Sequence, residues 1–166
     1  MMLMLNISFR IRTERKFDWN NLFLSCAHCN AVKNKHKYDG GIIDCCKTDP
    51  ESVLNFKLQG NEVTVDVIDG SDPKTKLTAE LVEEVFHTTN TGILTLGSEA
   101  RLYGLQREMN VLYSMLQRYV KNPDNVLVIR TLRGLLNRES AYAGFKRCYI
   151  RSHREEYPDL QAMVNE

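Results

Sequence analysis

Two cysteines separated by two residues, Cys26-Ala27-His28-Cys29, constrain what this chain can fold into more than any other feature of it. A turn of that spacing lets both thiolates face one metal ion, and Zn²⁺ takes four such ligands in a tetrahedron. The pair lies within residues 18–37, where a short apolar strand, Leu22-Phe23-Leu24, runs into Cys26 and a basic, helix-compatible segment follows from Asn30. One C-x-x-C is half of a zinc site, so the companion ligands must come from elsewhere. Two other readings stay open: a redox pair, for which no thioredoxin-like βαβ pattern is present, and two unconnected buried thiols.

The other 162 positions of the 166-residue chain bound the answer without deciding it. Hydrophobic residues at 43% and charged residues at 26% are ordinary globular values and speak for a packed core. A formal charge of +1 gives no overall pull toward nucleic acid, so only local clusters of cations can supply one. Five cysteines without a secretory signal favour reduced thiols or metal ligands over a disulfide framework. Met1 to Leu5 is apolar but far too short for a membrane span, so a soluble, cytoplasmic protein is expected.

Along the chain, Asp39-Gly40-Gly41 marks a turn, and Asp49-Pro50-Glu51 marks a turn or helix start. Residues 53–58 and 62–68 alternate apolar and polar side chains across Gln59-Gly60-Asn61, which predicts a β-hairpin. Residues 69–73 read as a loop, and Thr78 as the cap of a helix carrying Leu81, Val82, Val85 and Phe86. After a loop at 89–97, Leu102, Leu105, Met109, Leu112, Leu116 and Tyr119 recur at steps of three and four, one apolar stripe on a long helix. Asn122-Pro123 is read as the opening of a helix with Leu132 and Leu136, and Ser140 as the cap of one bearing Tyr142, Phe145 and Ile150. The expected fold class is α+β, mostly α. A small N-terminal ββα-metal-like unit with a hairpin occupies residues 1–70, and a helical region occupies 71–166.

The string D-W-N-N-L-x-x-x-C-x-x-C-N-x-x-K, from Asp18 to Lys33, resembles the HNH (ββα-metal) endonucleases. The likeness is to those paired with AAA-family ATPases in anti-phage systems such as Septu and some retrons. Looser similarities follow at Ile43-Asp44, at Asp49-Pro50-Glu51 and at Ala143-Gly144-Phe145-Lys146-Arg147. By that resemblance Asn21 matches the central loop Asn and Asn30 the metal-binding helix position. Cys26 and Cys29 then match half of a structural Zn²⁺ site. The resemblance implies DNA as substrate, a catalytic Mg²⁺ or Mn²⁺, and a histidine that deprotonates the attacking water. Here the chain departs from the pattern, because no histidine and no cysteine precedes Asn21. Cleavage by the family mechanism is therefore not expected of it. One set of synonymous codons for Met1 through Arg10, read from the third base of Met1, spells Asp-Val-Asp-Val-Glu-His-Phe-Leu-Pro. That string is similar to the missing acidic-His motif, which predicts that residues 1–16 are translated out of frame.

Lys33 and Lys35, with Lys37, stand where such a nuclease would touch phosphate, and Arg147, Arg151 and Arg154 fall on one helical face. A solvated basic loop and an ordinary exposed face are the plainer readings of the two clusters. Cys45 or Cys46 with His28 or His36 is a conceivable substitute set of zinc ligands, while Cys148 reads as core. The alternative to a nuclease is a non-catalytic module whose helices dock onto an ATPase or onto its own copy.

Overall fold

The computed structural model describes residues 26–165, so the expectations for the first 25 residues, Asn21 among them, lie outside the described residues. The chain is mostly helical with two small antiparallel sheets, the α+β class that the sequence predicts. Helix α1, Ala27–Lys33, is followed by a 3-10 turn at His36–Tyr38 and by α2, Pro50–Val53. Strands β1, Leu54–Gln59, and β2, Glu62–Val67, form the hairpin, with Gln59 opposite Glu62. Gly60 has φ +60 in the two-residue turn, the backbone that a glycine at the first central position of a II′ turn supplies. Alternation puts Phe56 opposite Val65 and Leu58 opposite Val63 on one face, which α3 and α6 cover.

Helix α3, Pro73–His87, begins well before Thr78. Asp72 caps it by accepting the Lys74 N–H at 2.9 Å, and Pro73 takes the first helical position. Thr78 lies inside the helix, where its Oγ1 donates to the Lys74 carbonyl and accepts the Ile43 N–H at 3.0 Å. The expected loop after it contains a tight hairpin, β3 at Thr89–Asn90 and β4 at Ile93–Leu94. Helix α4, Leu96–Lys121, carries the predicted stripe, and Leu102, Leu105, Met109, Leu112 and Leu116 are all buried. Helix α5, Val126–Leu135, is capped by Asn125 and not by Asn122, since the Asn125 side chain accepts the Leu127 and Val128 N–H groups. Helix α6, Ala143–Ser152, starts after Tyr142 in a left-handed conformation; Ser140 instead donates its hydroxyl to the Leu135 carbonyl. Helix α7, Gln161–Asn165, closes the chain.

A single cluster of buried side chains runs from Cys29 and Val32 through the hairpin and α4 to Leu160 and Val164. It crosses residue 70 without a break. At its centre Phe145 meets Phe56 at 5.4 Å and Phe86 edge-on at 5.7 Å, tying α6 to both the hairpin and α3.

Candidate functional site

Helix α1 is short, and its ends explain why it forms at all. The Cys26 backbone is extended (φ −74, ψ 157), and its Sγ accepts the Cys29 N–H at 3.3 Å, a thiol in the place usually held by Ser or Asp. Cys29 and Val32 face inward and Asn30 outward, so the helix docks one apolar edge against α3. His28 fixes the docking: its Nε2 lies 2.9 Å from the Val85 carbonyl and 3.3 Å from Ser98 Oγ. Gly97 makes room for that ring, because a Cβ there would stand 2.3 Å from His28 Nδ1.

Across from α1, Arg101 of α4 lies near enough to both sulfurs for its charge to act on them. Burial raises the Cys26 thiol, but the Cys29 N–H, the Cys29 side chain and Arg101 outweigh burial and leave it below the ordinary thiol value. Burial and the neighbouring Cys26 push Cys29 up to about 12. The two thiols are thus unlike: one half-buried and disposed to ionise, the other buried and held neutral. Tyr142 supports the arrangement by donating its hydroxyl to the Arg101 carbonyl at 3.2 Å. Nothing in the sequence marked Arg101, and Tyr142 was read only as a position on a helix capped by Ser140; the importance of both comes from contacts far along the chain.

The expected cationic contacts are arranged differently from the sequence reading. Lys33 does not present its amine to solvent: it is 5% exposed, its Nζ has no hydrogen-bond partner, and burial lowers its pKa to about 8. Lys35 pairs with Glu84, and Lys37 with Glu80 at 3.0 Å. Glu84 also accepts the Tyr38 hydroxyl, and these donors outweigh burial to hold its carboxyl below the usual range. Arg147 is 1% exposed and faces no phosphate. Its guanidinium donates to Glu51 at 2.9 Å and to the carbonyls of Leu136, Met163 and Val164. Arg151, partly exposed, shares Glu51 and the Val164 carbonyl. The expected basic stripe on α6 is therefore mainly an internal fastening; seen in one helix alone, steps of four and three do not reveal which face the rest of the fold will cover.

Among the described residues no three His, Cys, Asp or Glu side chains come together to hold a metal ion. Cys26 and Cys29 make two of the four ligands that zinc requires, and the substitute set with Cys45, Cys46, His28 or His36 does not assemble. Cys148 is buried in the core, as the sequence suggests. A cleft of about 520 Å³ opens elsewhere, between the segment Cys45–Glu51 and the start of α6. Leu54, Phe56, Val82 and Phe145 wall it, with the Asp49–Arg138 ion pair at 2.7 Å on its rim. Glu51 on the same wall is taken by Arg147 and Arg151. No helix among the described residues is long and apolar enough to cross a membrane.

Comparison of the chain with family models, with curated proteins and with solved structures gives no match.

Proposed function

We propose that the chain is an HNH-type module of the kind paired with an AAA-family ATPase in anti-phage defence, one that engages DNA without cleaving it. The observation that carries this reading is the head of α1. Cys26 starts the helix, Cys29 turns inward, and Asn30 is exposed on the outer side, the arrangement that the resemblance asks of a metal-bearing helix. Cleavage by the family mechanism would need a histidine to activate water, and residues 1–20 contain none. The reading also brings Zn²⁺ at Cys26 and Cys29 and Mg²⁺ or Mn²⁺ at Asn30. The described residues supply only part of either ligand set.

The test is supercoiled plasmid incubated with the chain and Mg²⁺ or Mn²⁺, alongside anisotropy of a labelled duplex at rising salt. The expected result is intact plasmid with salt-sensitive binding that weakens when Lys35 is changed to Glu. Nicking that disappears in Asn30→Ala would show an active enzyme, and no binding at low salt would remove the DNA reading.

A second reading, a module that docks onto protein, is favoured by apolar side chains left in solvent around the α4–α5 turn. Val126 is 77% and Leu127 73% exposed, with Val120 nearby in sequence and also exposed. Light scattering that reports more than one chain per particle, reverting to one in Leu127→Ser, would support it. A single chain at every concentration would exclude self-association.

A further inference from the structure

We infer that Cys26 and Cys29 form a dithiol–disulfide couple that closes by exchange with a low-molecular-weight disulfide of the glutathione type. The inference goes beyond the nuclease reading and does not rest on it. It starts from a mismatch: the resemblance asks for four zinc ligands here, and no third ligand-type side chain joins the two sulfurs among the described residues. What the two cysteines do have is the geometry of a closable pair.

Proximity comes first. The Cys29 N–H donates to Cys26 Sγ at 3.3 Å, so the backbone already brings one sulfur onto the turn that carries the other. Residues three apart across one helical turn fall within the roughly 4.4–6.8 Å Cα separation that a disulfide spans. The second feature is asymmetry. Cys29 is 3% exposed while Cys26 is only half-buried, so an external disulfide meets Cys26 and only Cys26 meets Cys29. The third is bracing, with Arg101 of α4 standing beside both sulfurs. Tyr142 holds the backbone of Arg101, and the His28 contacts hold α1 against α3 and α4, so the pair is presented on a braced turn.

The steps balance without a metal. The Cys26 thiolate attacks one sulfur of the external disulfide, forming a mixed disulfide and releasing one thiolate. Cys29 then gives its proton to solvent, and its sulfur attacks that of Cys26, releasing the second thiolate. Two protein thiols have become one disulfide, and the oxidant has become two thiols. Adjacent Cys45 and Cys46 provide an internal comparison, since Cys46 is exposed and able to take up the oxidant while Cys45 beside it is partly buried.

The experiment equilibrates the full chain in buffers of graded glutathione and glutathione disulfide, quenches with acid, and alkylates the remaining thiols for peptide mapping. Zinc is measured on the same sample. Cys26 and Cys29 should lose the label together and appear as one cross-linked peptide that dithiothreitol reopens. In Cys29→Ser, Cys26 should instead carry glutathione. Full labelling of both positions while Cys46 is glutathionylated would overturn the couple, as would a cross-link from Cys26 to Cys45 or Cys46. One equivalent of zinc with both thiols protected until a chelator is added would also overturn it, and would leave the zinc part of the nuclease reading standing.

Discussion

Lys33 is a charge placed where a charge is costly. Its amine is buried without a partner and its pKa falls from 10.5 to about 8, a penalty of roughly 3 kcal/mol while it stays protonated. The sign follows from proton counting. Between about pH 8 and 10.5 the unfolded chain holds a proton that the folded chain has released, so stability rises with pH across that window. Lys33→Met should therefore be the more stable form at pH 7, and its advantage should shrink toward pH 10; urea melts at the two values measure this. An advantage that does not change with pH would mean that packing, not charge, sets the difference. Arg147 is the opposite case, a buried charge with every neighbour in place. Arg147→Met strips the Leu136 and Met163 carbonyls of this donor, leaves Glu51 and the Val164 carbonyl to Arg151 alone, and should cost about 3–5 kcal/mol by the same melts. The sequence had given these two residues one role, phosphate contact, because a cation on a helix reads as exposed until its distant neighbours are known. Glu51, Leu136 and Val164 stand 96, 11 and 17 residues from Arg147, and only the closed fold brings them together.

Elements announced by local chemistry were legible in the chain; elements fixed by long-range contact were displaced. The β1–β2 hairpin and the α4 stripe appear where alternation and periodicity put them, because each depends on neighbours in sequence. The starts of α3, α5 and α6 moved because several candidate caps lay close together, and the one used was settled by packing. At α3 the deciding pair was Asp72-Pro73, a stronger start than a threonine that the core needed for another bond. Asp72→Ala should lower stability by about 1 kcal/mol, read as a shift in thermal midpoint, whereas Asn122→Ala, which removes no side-chain cap, should shift it far less. The candidate site divides the same way. Its sulfur pair is written in four consecutive residues, but the α1 dock depends on His28 meeting Val85 and Ser98, 57 and 70 positions away. Gly97→Ala drives a methyl into the His28 ring and should loosen α1 by about 1–3 kcal/mol, visible as faster hydrogen exchange at the Val32 and Lys33 amides.

At the scale of the molecule, the expected division at residue 70 has no counterpart in the core, which is shared by α1, the hairpin and every long helix. Heat or urea should thus unfold residues 26–165 in one cooperative step, with far- and near-ultraviolet circular dichroism changing together. Two separated transitions would mean that the hairpin side and the helical side hold independently. The interior also has an order of completion built into it. Arg147 sits inside α6, yet two of its four acceptors, the carbonyls of Met163 and Val164, are among the last atoms of the described chain to be synthesised. While those residues are still in the ribosomal tunnel, the guanidinium has to stay in water, and α6 cannot seat against β1 with its charge satisfied. Seating of α6 with its charge fully satisfied therefore waits until Met163 and Val164 have left the tunnel.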